Sequence, residues 1–276
     1  MFEDQVIPLD EWVSQSVDWL VDNHRDIFQA LKWPVEQTLS GFDSGLNALH
    51  PVIIIVVVAL AAWRFSGIKL SLFSVVTMVL IGFLGLWGDA MTTLAMVLSS
   101  VIFCIIVGVP LGITAGRSDR FEAGIRPVLD AMQTTPAFVY LVPIVMLFSV
   151  GNVAGVLATI IFSLPPLIRL TSLGIRQVHP ELVEAAQAFG ATRWQVLVKV
   201  QVPLAMPTIL AGLNQTIMMA LSMVVIAALI GAGGLGSPVI LGLNTLDIGR
   251  AVVGGLGIVL MAIVLDRLTQ SMAQKK

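Results

Sequence analysis

The stretch MTTLAMVLSSVIFCIIVGVPLGITA, Met91 to Ala115, decides the fold: 25 consecutive residues include no Asp, Glu, Lys or Arg. At about 1.5 Å per helical residue, it is long enough to cross the roughly 30 Å of hydrocarbon in a bilayer. Six further apolar runs accompany it: Leu49 to Phe65, Leu70 to Trp87, Pro127 to Phe148, Val150 to Leu170, Thr208 to Ile230 and Ile248 to Leu265. The fourth and fifth of the seven spans are separated only by Ser149 to Asn152, which predicts a tight hairpin at one membrane face. Composition agrees. Hydrophobic residues make up 57% of the 276 positions, charged residues only 12%, and the mean hydropathy is +0.95. A soluble domain carries about a quarter charged residues, so the reading is an all-α, polytopic membrane helix bundle.

Lys and Arg near span ends are retained on the cytoplasmic side. Seven spans with the N-terminus outside place Arg64, Lys69, Arg117, Arg120, Arg126, Arg169, Arg176, Arg193, Lys199, Arg267, Lys275 and Lys276 inside, and leave only Arg25, Lys32 and Arg250 outside. The C-terminus and the polar segment 179–203 are then cytoplasmic. At the start, Glu3, Asp4, Asp10 and Glu11 stand where a cleavable signal needs basic residues, so the N-terminus is expected to be retained.

Three regions follow: an external acidic segment 1–46, two accessory spans in 47–90, and a core 91–270. In the first, Val13, Val17, Leu20, His24, Ile27 and Leu31 recur at helical spacing, flanked by Trp12, Trp19 and Phe28. This predicts an amphipathic helix ending before Pro34, either an interfacial scaffold around the bundle or an external cap. Val35, Leu39, Phe42, Leu46 and Leu49 form a second, weaker stripe.

Segment 179–203 reads as a helical hairpin. His179-Pro180-Glu181 is a helix start, since proline at the first position wastes no amide and an acid suits the positive end of the dipole. Gly190 stands where a helix ends in a left-handed turn. Thr192 and Gln195 have capping-box spacing, opening a second helix through Trp194, Val198 and Val200 that Pro203 closes. Glu184 offers a charge, and Ala185 and Ala186 a smooth surface on which another protein could lie closely; an ordinary connector lying on the membrane is the alternative from pattern alone.

Glu184-Ala185-Ala186, three residues, Gly190, nine residues, then Val200-Gln201-Val202-Pro203 resembles the EAA loop of ATP-binding-cassette (ABC) importer permeases, with Val200 and Val202 where Ile and Leu are usual. The run Leu129-Asp130-Ala131-Met132-Gln133-Thr134-Thr135-Pro136-Ala137-Phe138-Val139-Tyr140-Leu141-Val142-Pro143, and Ile230-Gly231-Ala232-Gly233-Gly234-Leu235-Gly236, are similar to the permeases of glycine betaine/proline importers. The resemblance covers roughly Met91 to Asp266. It implies the MetI-like transmembrane core of a type I ABC importer. It implies a coupling helix on which Glu184, Ala185, Ala186, Gly190, Ala191 and Pro203 form the docking surface for ABC ATPase subunits. It also implies an external or periplasmic substrate-binding protein, a second copy of the permease, and the bacterial inner membrane as its place. The implied cargo is glycine betaine, proline betaine, choline or a related osmoprotectant; the implied mechanism is alternating access, driven by ATPase closure pulling the coupling helices together.

The chain has no G-x-x-x-x-G-K-[ST], so it has no standard P-loop of its own. No cofactor is expected on this chain; ATP and Mg belong on the partner ATPase. Gly231, Gly233 and Gly236 satisfy the dinucleotide pattern but follow a membrane span rather than a strand, so a compact or re-entrant turn is expected there. Candidate path residues are the small, polar or aromatic groups of the fourth and sixth spans. They are Gln133, Thr134, Thr135, Pro136, Phe138 and Tyr140, with Asn214, Gln215, Thr216, Met218, Met219, Ser222 and Met223. A quaternary ammonium is held by aromatic faces, which singles out Phe138 and Tyr140. Polar residues in spans also simply bond neighbouring helices, and Met fills gaps. Asp130 reads as a helix-end or gate-network residue. Cys104 lies in an apolar run as a packing residue, and His24, His50 and His179 are far apart in the topology, so neither catalysis nor a metal site is expected, and nothing points to nucleic acid. The alternatives are a gradient-driven secondary transporter, whose paired membrane acids are missing, and an ABC permease for another small solute such as an amino acid.

Overall fold

The computed structural model describes residues 8–274. Glu3, Asp4, Lys275 and Lys276, and the side chains of Asp10, Val13 and Val17, lie outside the described residues. Twelve α-helices follow in order: α1 Leu9–Ala48, α2 Pro51–Ser66, α3 Ile68–Phe83, α4 Trp87–Arg117, α5 Asp119–Thr134, α6 Leu141–Phe148, α7 Asn152–Arg176, α8 Pro180–Ala188, α9 Arg193–Val196, α10 Val202–Ala227, α11 Gly236–Thr245 and α12 Ile248–Gln274. Among the described residues, four stretches are long and apolar enough to cross a membrane alone: Trp87–Arg117, Asn152–Arg176, Arg193–Ile230 and Ile248–Met272.

The centre is the packing of α4 and α10 on α7. Lipid tails are as apolar as leucine, so close approach of backbones rather than hydrophobicity holds membrane helices together. Gly108, Gly112 and Gly116 put a small residue at every fourth position of α4, and α7 fills the resulting groove. A Cβ added to Gly112 would lie 2.5 Å from the Thr171 Cβ and 2.8 Å from the Ile168 carbonyl oxygen; at Gly116 it would lie 2.8 Å from the Ile175 Cβ. Gly174 on α7 and Gly212 on α10 repeat the arrangement, each facing the other helix: an added Cβ would lie 3.1 Å from Ala205 O and 3.0 Å from Leu170 Cβ respectively, closer than ordinary contact. Cys104 is buried where expected, in a cluster with Leu167, Ile175, Leu197, Ala205 and Ile209.

The glycine run after α10 is a compact turn, with Gly231 and Gly234 left-handed at φ +76° and +86°. Its amides are satisfied inside the protein: Gly233 N–H donates to Asn152 Oδ1 at 2.6 Å and Leu235 N–H to Thr93 Oγ1 at 2.8 Å. The turn thereby ties the starts of α7 and α4 together.

Three expectations need correction. The fourth span is not one helix: α5 stops at Thr134, a 3₁₀ turn spans Ala137–Tyr140, and α6 leaves at 105° to α5. Thr135, forced out of the helical region by the ring of Pro136, sits extended at ψ +128°, and Pro136 has no N–H with which to continue the ladder. With only eight residues, α6 reaches about 12 Å, well short of a crossing.

The N-terminal helix does not end before Pro34. It runs on to Ala48 and its one non-helical residue is His24, at φ −130° and ψ +22°. The stripe that looked weaker anchors it: Val35 and Leu39 are buried, with Phe42 and Leu46 packed on the same cluster as Met91 and Met96 of α4, and Asp43 accepts a 2.8 Å bond from the Thr92 hydroxyl. The stronger-looking stripe is mostly exposed at Leu20, Ile27 and Leu31, as are the flanking Trp12 and Trp19. Phe28 is held by an edge-on contact with Phe148 at the end of α6, 5.8 Å between ring centres.

Finally, the helix opened by Thr192 is not closed by Pro203. A π turn over Leu197–Gln201, in which Val202 N–H reaches back to Leu197 O, passes it directly into α10. Pro203 lies immediately after that turn, as the second residue of α10, inside a continuous helical run.

Gly112→Ala is expected to destabilise the bundle by about 1 to 3 kcal/mol, because the backbone of Ile168 cannot move aside. Gly255→Ala in α12, with open space around its Cβ, should instead be neutral or stabilise by up to about 1 kcal/mol. Thermal unfolding in detergent compares the two.

Candidate functional site

The polar hairpin is built by its caps. The last turn of α7 gives way at Gln177, Val178 is buried, and His179 turns extended to start α8 with Pro180 at its first position and Glu181 in its first turn. At the other end the N–H of Gly190 bonds Gln187 O at 2.8 Å and that of Ala191 bonds Ala186 O at 3.0 Å. That pair of bonds is a Schellman closure, which requires the left-handed φ of +83° seen at Gly190. The spacing from Ala186 to Gly190 and Ala191 is therefore a backbone necessity. The glycine stands four positions after the carbonyl that closes the turn, with three residues between them. Thr192 then caps α9 as anticipated: Gln195 N–H donates to Thr192 Oγ1 at 3.3 Å and Thr192 N–H to Gln195 Oε1 at 2.8 Å.

Val196 and Leu197 are buried and plant the hairpin on the bundle, while its outer surface is open. Glu184 and Ala185 are exposed and Ala186 half-buried. Phe189 is 94% and Trp194 69% exposed, with Leu182 and Val198 also exposed beside them. Sequence reasoning placed Trp194 on the second helix but gave neither it nor Phe189 a docking role, although two aromatic residues flanking the glycine turn of a polar loop were a readable signal. These side chains leave an exposed apolar patch on the hairpin beside the charge of Glu184.

The path candidates divide. Tyr140 is a support rather than a free face: its hydroxyl donates to Met132 O at 2.7 Å, folding the turn back over the end of α5, and Thr135 Oγ1 caps Ala131 O at 2.8 Å. Phe138, two residues earlier on the same turn, is 60% exposed. Pro136 is exposed and Gln133 half-buried at the same break. On α10, Ser222 is exposed with its hydroxyl donating to Met218 O, and Met219 is half-buried. Met223 is wholly buried among Leu141, Ile144, Ala154 and Ala158, so in this structure it fills the joint of α6, α7 and α10 and lines no open path. Thr216 is likewise buried, its hydroxyl donating to Ser163 O at 3.0 Å. Asn214 bonds Asp266 on α12 at 3.1 Å and accepts from Thr269, a helix-to-helix link. Asp130 is paired with Arg169 at 2.5 Å.

Helices long and apolar enough to cross a membrane, with a polar hairpin between two of them, define a polytopic membrane protein. Residues 108–276 match the family described as binding-protein-dependent transport system inner membrane component, and the chain belongs to that family. It is 55% identical over 273 residues to the glycine betaine/proline betaine transport system permease protein ProW of Escherichia coli, covering 99% of this chain and 77% of the relative. It is 46% identical over 270 residues to the glycine betaine transport system permease protein OpuAB of Bacillus subtilis, covering 98% and 96%. Among solved structures, the inward-facing MetNI methionine ABC transporter aligns with a TM-score of 0.55 and 24% identity over 66% of this chain and 89% of the other, a likeness of fold. The chain is thus a multi-pass inner-membrane permease subunit of the ABC importer class, which works with an ATPase and a substrate-binding protein.

Thr192→Ala removes the hydroxyl arm of the capping box, which accepts from the Gln195 N–H, while the backbone arm from Thr192 N–H stays; it is expected to cost the α9 turn about 1 kcal/mol. Faster hydrogen exchange at the Gln195 amide, with α4 and α7 unchanged, is the readout.

Proposed function

We propose that this chain is the permease of an ATP-driven importer for glycine betaine, proline betaine or a related quaternary ammonium osmoprotectant. The observation that carries the cargo class is the identity of about half of all positions, over nearly the whole chain, to permeases named for those solutes. It works as a homodimer in the lipid bilayer, N-terminus outside and hairpin and C-terminus in the cytoplasm. ATP and Mg are held by the partner ATPase, and this chain contributes no cofactor site. The ATPase docks on Glu184, Ala185, Ala186, Gly190, Ala191 and the neighbouring Pro203, with Phe189 and Trp194 as its apolar anchors. Exposure of both rings in the isolated subunit supports that role, since interface energy concentrates in such aromatic groups. Phe138, Gln133, Thr135, Pro136, Met219 and Ser222, gathered around the break between α5 and α6 and on α10, are the candidates for the path. Phe138 offers the aromatic face that a cation without donors requires.

The test is uptake of labelled glycine betaine into proteoliposomes that hold the permease, its ATPase and its binding protein. Gly190→Trp and Glu184→Lys are each expected to reduce ATP-dependent uptake and ATPase co-purification at least about tenfold, with the permease still in the membrane. Phe189→Ser should weaken co-purification by about tenfold while leaving the unfolding temperature of the isolated permease unchanged. Unaltered association in all three would remove the docking assignment, and uptake of an amino acid in place of the betaine would remove the cargo assignment.

A further inference from the structure

Two arginines of α7 hold α5 at the end of the bundle that carries the hairpin. Arg169 pairs with Asp130 at 2.5 Å; Arg176 pairs with Asp119 and Glu122, each at 2.6 Å, and donates to Ala115 O of α4 at 2.9 Å. Arg169 and Arg176 are seven residues apart, two helical turns, and the partners on α5 run the opposite way, so the pairs clamp two antiparallel helices at both ends of a slot. The slot is not filled. A cavity of about 320 Å³ lies between the clamps, lined by Ile125, Leu129, Ile168, Ser172 and Leu173 among others. The Ser172 hydroxyl is buried without a hydrogen-bond partner.

This contact differs in kind from its neighbour. Between α4 and α7 a single added methyl has nowhere to go. Between α5 and α7 there is open space, and the ion pairs are part-exposed, so each contributes little alone and is readily exchanged. A separable contact beside a fixed one is what a two-position joint requires. Arg176 also occupies the last turn before the hairpin, with only three residues between it and α8. At its far end α5 leads into the extended Thr135 and the 105° turn toward Phe138 and α6.

We infer that the Arg169 and Arg176 clamps are the positioning device that carries movement of the hairpin to α5, and through the break at Thr135 to the segment bearing Phe138. The inference rests on the importer reading above and deepens it. α7 and the hairpin move as one rigid piece; α5 follows only while the clamps hold it. Breaking a clamp therefore separates ATP hydrolysis from transport without removing the ATPase.

The experiment measures solute taken up per ATP hydrolysed in the reconstituted complex. Asp130→Arg sets like charges against Arg169 and is expected to lower that ratio at least about tenfold, with ATPase co-purification and turnover within about twofold of wild type. Adding Arg169→Asp re-forms the pair in reverse and is expected to restore the ratio to within about threefold. Should Asp130→Arg fail to reach the membrane, Asp130→Asn replaces it, with a fall of about threefold expected. An unchanged ratio in both single variants overturns the inference, as does a reversed pair no better than Asp130→Arg. Wild-type complex that hydrolyses ATP but imports no betaine refutes the importer reading instead, and that control is scored first.

Discussion

Everything in this molecule depends on one constraint: helices in lipid are held by close approach, and only small residues permit it. The groove cut into α4 by Gly108, Gly112 and Gly116 fixes where α7 lies, and Gly174 with Gly212 fixes α10 against it. Since α7 runs directly into the hairpin and α10 begins as its continuation, the same glycines decide where the hairpin stands. The compact glycine turn at the other end closes the frame by spending its amides on Asn152 and Thr93. The frame leaves two parts ungripped, and most of the proposed docking and path residues lie on them. The hairpin surface is one such part and the broken fourth span is the other.

The hairpin was legible residue by residue because its signals are local. A proline at the first helical position, a glycine four residues after the closing carbonyl and a Thr-x-x-Gln box each act within a turn, so sequence spacing and backbone geometry are the same statement. The long apolar crossings were legible for a similar reason, since length and absence of charge are all a bilayer demands. Where reading failed, the deciding interactions were distant. Apolar character is the same in a straight span and a broken one, and only Thr135-Pro136 marked the break. The two stripes of α1 were ranked by their own hydrophobic regularity, whereas the ranking that matters is which one α4 reaches. Pro34 and Pro203 were read as ends, yet one lies in a helix held by packing and the other follows a π turn that absorbs it.

The polar groups of α10 show the same division between local and distant meaning. Thr216 and Asn214 looked like path residues because they are polar in an apolar run. Their partners on α7 and α12 lie more than 50 positions away in sequence, beyond what spacing reveals, and they turn out to be fastenings. Met223 repeats the lesson from the apolar side. Its flexible chain fills the irregular corner where a short helix, α6, meets two long ones.

The unbroken run from Arg193 to Ile230 has a mechanical consequence. At 38 residues it measures about 57 Å, against roughly 30 Å of hydrocarbon. The surplus is the hairpin itself: residues 193–203 are its second half, and the helix continues from them without a break to the glycine turn. Hairpin and glycine turn are therefore the two ends of one rod, so neither can shift along its axis without the other.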